Sequence, residues 1–207
     1  VRNERRSRYE GEPLSRWVLD FHESFYPSGH PYHRAGIGTH ESISSFTLED
    51  VSAFLEEHYH PSNAILTVVG PVDAQQTMAQ IRKSFEDKAK KSPSVLPSQT
   101  WEPSYRENVI ITPKANDTMI TVAWPIAPEL SKDALAIKFL ASSTSYFYYR
   151  LVTNRGWANW VWSSLWGQKS GSVFIVQALL RDHDDMEAAR DKIFEIADAM
   201  NGYIRAP

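Results

Sequence analysis

A histidine beside a glutamate is the first feature of this sequence that could do chemistry, because a helical metal site can be built from such residues. His22 precedes Glu23, but Tyr26 stands four residues after His22, where an H-E-x-x-H motif needs its second histidine. The sequence also contains no G-x-S-x-G element and no P-loop. These observations exclude a helical H-E-x-x-H centre and give no sign of a nucleophilic serine or a phosphate-binding loop.

Two further histidine pairs have spacings that do not suit a metal site. His58 and His60 are two residues apart at a predicted helix end, and helical geometry would point them in different directions. His30 and His33 lie in a proline-rich loop. A zinc site needs at least three protein ligands, and no third partner accompanies either pair in sequence. We therefore interpret all four as surface or capping residues.

Tryptophan is concentrated in the second half of the chain. A predicted strand carries three tryptophans at even spacing, which places them on one face. We interpret them as core or interdomain packing, the usual role of such large apolar side chains; a stacking platform for a sugar or peptide is the alternative. The tryptophans of this half are Trp124, Trp157, Trp160, Trp162 and Trp166.

The overall composition restricts the class of protein. The 207 residues include 22 basic and 25 acidic side chains, a balance that argues against a nucleic-acid partner. No run approaches the roughly 18 apolar residues of a membrane span, and there is no cysteine for a disulfide or a thiolate-bound zinc. The absence of cysteine suits periplasmic, secreted and cytosolic proteins, of which we favour the first two. The opening has neither methionine nor a signal segment, so we expect it to lie inside a longer protein.

Periodicity predicts a mixture of helices and strands without strict alternation, which indicates an α+β fold with an antiparallel sheet. A proline-rich segment, residues 92–108, is the predicted linker between two domains. A first predicted helix ends near residue 9, and a second begins near residue 13. Further helices are predicted at residues 47–58, 74–90, 131–141, 145–154 and 184–202. The predicted strands cover residues 64–70, 108–112, 118–124, 160–166 and 172–180.

Short elements that follow in order along nearly the whole chain resemble the family of pitrilysin, insulin-degrading enzyme and mitochondrial processing peptidase. In the first half they are Val1-Arg2-Asn3-Glu4-Arg5-Arg6, His30-Pro31-Tyr32, Gly36-x-Gly38, Thr47-x-Glu49-Asp50, Tyr59-x-Pro61-x-Asn63 and Leu66-x-Val68-Val69-Gly70. In the second half they are Ile120-Thr121-Val122-Ala123-Trp124-Pro125, Leu151-x-x-x-Arg155-Gly156-Trp157-Ala158, Ser170-Gly171-Ser172-Val173-Phe174-Ile175 and the helix from Asp184.

This resemblance implies a duplicated fold in which each domain has an antiparallel sheet and helices. Residues 1–91 would be the C-terminal part of a first, metal-bearing type of domain, and residues 109–207 would be a second peptidase-like domain. The first domain would be truncated, because the family's H-x-x-E-H motif has no counterpart in this sequence.

The resemblance also implies a zinc ligand at Glu4, in the context Val1-x-x-Glu4. Members of the family hold zinc through two histidines and a distant glutamate, which leaves one coordination position open for water. The alternative is that Glu4 is a solvated helix residue that pairs with Arg8 one turn later.

One departure from the family pattern affects substrate binding. The second domain of the family offers an arginine and, seven residues later, a tyrosine; Val152 and Asn159 occupy these positions, and Arg150 and Arg155 are out of register. We expect a zinc-dependent metalloendopeptidase that acts on peptides or unfolded segments, with this chain inactive alone and a second peptidase-like half or subunit as partner. A non-catalytic subunit or peptide-binding scaffold is the alternative.

Overall fold

The computed structural model describes residues 1–11, 15–86, 118–126, 128, 129, 131–142 and 144–204. The chain forms two compact units, one from Val1–Ile37 with Gln99–Pro207 and the other from Gly38–Ser98; we call them the sheet unit and the helical unit. The predicted linker, residues 92–108, and the predicted strand at residues 108–112 lie outside the described residues. The assignment of residues 1–91 and 109–207 to two peptidase domains concerns the complete protein and stays a prediction.

The sheet unit contains one antiparallel sheet, which confirms the α+β expectation. Strands β1 (Met119–Ile126), β2 (Ala158–Trp166) and β3 (Ser172–Leu180) are arranged in the order β1-β3-β2. Val176 of β3 lies opposite Val122 of β1 and Ser163 of β2. A register shift between Ala158 and Trp160 marks a bulge at the start of β2.

The helices of the sheet unit begin with α1 (Arg2–Arg5), which continues as a π-helical turn over Arg6–Glu10, and α2 (Trp17–Phe25). After β1 come α6 (Ala134–Ala141) and α7 (Thr144–Tyr148), which continues as a π-helical turn over Tyr149–Asn154. A 3₁₀ turn over His183–Asp185 leads into the long final helix α8 (Met186–Ile204). Each predicted helix of this unit is found, with its bounds shifted by a few residues.

The main core lies between one face of the sheet and the helices α7 and α8. Alternate residues of β3 are fully buried there, as the period of two in a strand requires. Helix α8 contributes residues at helical spacing, and the segment that begins with α7 adds two large side chains. The fully buried members are Phe147, Leu151, Ala158, Val176, Ala178, Ala189 and Ile193.

A second, smaller core lies on the opposite face of the sheet. Val173 and Ile175 of β3 are fully buried there against Phe21 of α2 and Tyr26 of the following loop. The aromatic ring of Trp166 also packs here, 5.4 Å from the rings of both Trp17 and Phe21. The prediction that Trp166 packs in a core is therefore confirmed.

The helical unit contains α3 (His40–Ser45), α4 (Leu48–His58), a 3₁₀ turn over Pro61–Asn63 and α5 (Ala74–Phe85). The predicted start of α4 is confirmed: the Thr47 side chain accepts a hydrogen bond from the Asp50 backbone N–H, and Asp50 caps Thr47 in return. The sequence predicted a buried strand at residues 64–70. This prediction is wrong for the described chain, because the segment pairs with no described strand and Ile65 is 97% exposed.

None of the described helices is long and apolar enough to cross a membrane.

Candidate functional site

Glu4, the predicted zinc ligand, lies on α1 with its side chain exposed to solvent. Its Oε1 is 3.1 Å from Nη1 of Arg8, one helical turn later, so the surface ion pair named as the alternative is formed. This pair occupies the carboxylate without burying it, since 45% of the Glu4 side chain and 72% of the Arg8 side chain remain exposed. The zinc role of Glu4 stays a prediction.

A zinc site needs three protein ligands, and this requirement tests whether the described residues fit the metal. Among them, no three His, Cys, Asp or Glu side chains lie close enough together to hold an ion. Glu4 supplies one suitable carboxylate donor, so the described part of this chain does not fit a complete zinc site by itself. The remaining donors would have to come from residues beyond the described ones.

Val152 and Asn159, at the positions of the family's arginine and tyrosine, differ in their surroundings. Val152 lies on the π-helical turn that follows α7 and packs, half-buried, against the main core. Asn159 is exposed at the bulge that begins β2. Val152 therefore offers no hydrogen-bond donor, and Asn159 offers only a neutral amide.

The arginines beside these positions contact aromatic rings. Arg150 donates from Nη2 to the Tyr146 hydroxyl at 3.1 Å, and its guanidinium carbon lies 5.4 Å from the centre of the same ring. This hydrogen bond raises the pKa of Arg150 further, so the group stays charged. The guanidinium of Arg155 lies 5.7 Å from the centre of the Trp157 ring. Local spacing signals the first pair, because Tyr146 and Arg150 are four residues apart on one helical face.

Three histidines hold the loop between α2 and α3. Nδ1 of His22 lies 2.7 Å from the Tyr32 carbonyl, and Nδ1 of His33 lies 2.8 Å from the Tyr26 carbonyl. His30 is buried, and its Nδ1 accepts a hydrogen bond from the Tyr32 backbone N–H. The prediction of a surface or capping role is wrong for His30, because its ring stacks on Tyr26 at 5.1 Å and forms part of the packed loop.

The remaining histidine pair stands at the end of α4. His58 is the last residue of the helix, with its ring 4.5 Å from that of Phe54, and His60 directly precedes the 3₁₀ turn at Pro61. Both ring nitrogens of half-buried His60 are shielded from solvent, without a hydrogen-bond partner within the described ranges.

Trp160 and Trp162 lie on the same sheet face as Trp166 but are not part of the second core. Their centroids are 6.5 Å apart and their planes are nearly parallel, and 44% of Trp160 is exposed. Trp160 is therefore not a core residue of the described chain, and its interdomain packing stays a prediction. Strand spacing predicts which residues share a face of the sheet. It does not predict which part of that face is covered, because the covering helix α2 is far away in sequence.

Comparisons with known proteins agree on one family. A family profile described as "Peptidase M16 inactive domain" matches residues 45–202. The chain is 24% identical to a protein named zinc protease PqqE of Helicobacter pylori, over 97% of this chain and 47% of that protein.

Solved structures show the same fold. A protease from Helicobacter pylori superposes with a TM-score of 0.77 at 24% identity, over 95% of this chain and 49% of the other. A peptidase M16 inactive domain from Pseudomonas fluorescens superposes with a TM-score of 0.73 at 17% identity, over 90% of this chain and 47% of the other. The chain thus spans about half the length of each of these relatives.

Proposed function

The chain belongs to the peptidase M16 inactive domain family, and on that premise we propose that it is part of a zinc-dependent metalloendopeptidase and is inactive as an isolated chain. The complete protein would hydrolyse peptide bonds in peptides or unfolded segments. The observation that carries this proposal is the match to the inactive-domain profile over residues 45–202. The similarity to a relative that is named a zinc protease, of which this chain spans 47%, supports it.

The residues of this chain suit a supporting part in such an enzyme. Glu4 would give one carboxylate to the metal, and zinc held with an open position activates water and polarises a carbonyl. At the two positions where the family pattern has an arginine and a tyrosine, Val152 packs against the core and Asn159 offers a neutral amide. Neither can give a substrate the charge-assisted hydrogen bond that an arginine would.

A second peptidase-like half is therefore part of the proposal. It would lie later in the same polypeptide or on a partner subunit, and it would supply the arginine and tyrosine that bind the substrate. The coverage of about half of each relative supports this arrangement. Loss of one oxyanion-stabilising donor typically lowers the rate about 10²–10³-fold, so a half with Val152 and Asn159 needs such a partner for efficient turnover.

The experiment replaces Glu4 with glutamine in the complete protein and measures bound zinc by mass spectrometry. Glu10→Gln is the matched control, because Glu10 is also an exposed carboxylate of the same helical segment and accepts a hydrogen bond from Arg5 Nε at 2.8 Å. We expect Glu4→Gln to lose most of the zinc and the peptidase activity with an unchanged circular dichroism spectrum, and Glu10→Gln to keep both.

Normal zinc content and turnover in Glu4→Gln would show that Glu4 is only a helix-surface residue. A complete protein that neither binds zinc nor cleaves a broad peptide library would instead be a non-catalytic subunit or scaffold. Measurable zinc-dependent cleavage by residues 1–207 alone would contradict the proposal that this chain is inactive in isolation.

A further inference from the structure

The π-helical turn after α7 brings two arginines to the same side of the backbone. Arg150 lies in this turn, over Tyr149–Asn154, and Arg155 directly follows it. In an α-helix, side chains five residues apart would point about 140° away from each other. A π-helical turn joins residue i to residue i+5, so two such side chains lie one above the other, and turns of this kind are frequent at functional sites. We call Arg150 and Arg155 the arginine pair.

Each guanidinium of the arginine pair is held by an aromatic ring. Arg150 donates from Nη2 to the Tyr146 hydroxyl at 3.1 Å and lies 5.4 Å from the centre of that ring. Arg155 lies 5.7 Å from the centre of the Trp157 ring. Both rings pack against the main core, so the folded structure fixes where the two charges stand. Side chains that are ordered before binding lose less entropy when a ligand binds.

The carboxylate beside the arginine pair leaves its charge largely uncompensated. A hydrogen bond from Lys192 is the main cause that lowers the pKa of the Glu195 carboxyl on α8. The charges of Arg150 and Arg155 lower it further, so both guanidinium groups lie near this carboxylate. Nζ of Lys192 donates to Oε1 of Glu195 at 2.6 Å and to Oε2 at 2.5 Å, so the lysine already neutralises it. Three positive charges and one negative charge leave this group with a net charge of +2.

A carboxylate is the ligand that suits this arrangement. A planar guanidinium binds a carboxylate through two parallel hydrogen bonds, a geometry that the compact ammonium of a lysine does not offer. Arg155 is exposed and Arg150 is half-buried, so a ligand can reach both from solvent. The net positive charge is complementary to an acidic segment of a peptide, and it would disfavour a basic one.

We propose that the arginine pair binds an acidic side chain, aspartate or glutamate, of the peptide on which the complete enzyme acts. The identity of that peptide as a substrate rests on the proposed function. The binding itself depends on Arg150, Arg155 and the two rings that hold them, and it requires neither zinc nor catalysis.

The test measures peptide binding by fluorescence anisotropy in the complete protein and in the 207-residue chain. A chelator is present, so that zinc-dependent cleavage does not consume the probe. The probe is a fluorescein-labelled, alanine-based peptide that carries adjacent glutamates, and the same peptide with glutamines is its neutral counterpart. We expect both proteins to bind the glutamate peptide about 10-fold more tightly than the glutamine peptide.

Substitutions then separate the arginine pair from general charge. Arg150→Gln and Arg155→Gln should each weaken binding of the glutamate peptide about 10-fold, as expected for one lost charge-assisted hydrogen bond. Arg150→Lys and Arg155→Lys keep the charge and lose the planar group, so each should weaken binding about threefold. Arg82→Gln removes an exposed arginine of α5 in the helical unit, and this matched control should leave the affinity within about twofold.

Equal affinity for the two peptides, or glutamine variants of the pair that bind like Arg82→Gln, would overturn the inference. Lysine variants that bind as tightly as the unmodified protein would overturn it too, because net charge alone would then attract the peptide. Tighter binding of inorganic phosphate than of the glutamate peptide would identify an inorganic anion site and contradict the proposal.

The two proteins also separate this inference from the proposed function. Binding to the 207-residue chain but not to the complete protein would show that another part of the polypeptide covers the arginine pair, which would overturn the inference. A complete protein that binds the glutamate peptide through the pair, yet cleaves no peptide when zinc is restored, would contradict the proposed function and support the acidic-peptide site.

Discussion

Tyr26 joins the loop after α2 to the hairpin of the sheet, and its replacement should measure how much this second core stabilises the unit. Its side chain is 1% exposed, and its hydroxyl donates to Oε1 of Gln168 at 3.1 Å, across 142 residues of sequence. Burial raises the pKa of Tyr26, so the hydroxyl keeps its proton and remains a donor. Its ring also stacks with His30 and meets Phe25 edge to face.

Two substitutions separate the hydrogen bond from the packing. Tyr26→Phe keeps the ring and removes the donor, which should lower the free energy of unfolding by about 1 kcal/mol. Tyr26→Ala also removes the fully buried ring and leaves a cavity among aromatic side chains, which should cost about 3–5 kcal/mol. The exposed Tyr149 gives a control in the same unit, since Tyr149→Phe should change the free energy by less than about 0.5 kcal/mol.

Urea unfolding followed by circular dichroism measures these differences. With a slope of about 2 kcal/mol per molar urea, Tyr26→Phe should lower the midpoint by about 0.5 M and Tyr26→Ala by about 2 M. If Tyr26→Ala unfolds at the midpoint of the unmodified chain, the loop after α2 does not pack on the sheet and the second core is not formed. A loss for Tyr26→Phe as large as that for Tyr26→Ala would show that the hydrogen bond, and not the packing, dominates.

Two further predictions concern the loop and the hairpin turn. Burial lowers the pKa of His30, whose Nδ1 must be unprotonated to accept from Tyr32 N–H. As the pH falls, His30 therefore takes up a proton at a higher pH in the unfolded state than in the folded state, so the free energy of unfolding should decrease below about pH 6.5. The urea midpoint should fall between pH 7.5 and pH 5.5, and it should fall less in His30→Asn than in the unmodified chain. An equal fall in both proteins would refute this prediction. At the hairpin turn, a Cβ on Gly167 would lie 2.6 Å from the carboxyl carbon of Glu129. Oε1 of the same carboxylate is 3.4 Å from Nζ of Lys138. Gly167→Ala should lower the free energy of unfolding by about 1 kcal/mol, measured from the urea midpoint. In a background that already carries Glu129→Ala, the same substitution should cost much less, because the clashing carboxylate is gone. An equal cost in the two backgrounds would show that the loss has another cause.

The sequence predicted the elements whose signals are local. The hairpin strands were expected at residues 160–166 and 172–180 and lie at Ala158–Trp166 and Ser172–Leu180, because alternation and the intervening glycines are properties of adjacent residues. The start of α4 followed from Thr47 and Asp50, three residues apart, in the same way.

Features that depend on distant residues could not be predicted from the sequence. Alternation along β2 indicated that the tryptophans share one face. It did not indicate that the opposite face, which carries Val161 and Ser163, is the buried one. The buried Ser163 is possible because Thr144, nineteen residues earlier, lies 2.7 Å from its hydroxyl. The contact between Tyr26 and Gln168 likewise has no local signal. The apolar run at residues 64–70 has the composition of a strand, and the prediction of a strand failed because a strand forms only where another strand is available to pair with it.

Two interpretations of Glu4 are compatible: the surface ion pair with Arg8 and the predicted role as a zinc ligand in the complete protein. Its ion pair with Arg8 is exposed on both sides, and exposed pairs of this kind contribute about 0–1 kcal/mol. Zinc in a structural site contributes about 10–16 kcal/mol of apparent binding free energy, so a completed ligand set would outcompete the arginine by a wide margin. The pair with Arg8 therefore does not argue against a ligand role in the complete protein. It is the contact that a carboxylate on an exposed helix makes at i+4, and Arg8 would return to solvent if Glu4 bound a metal in the complete protein.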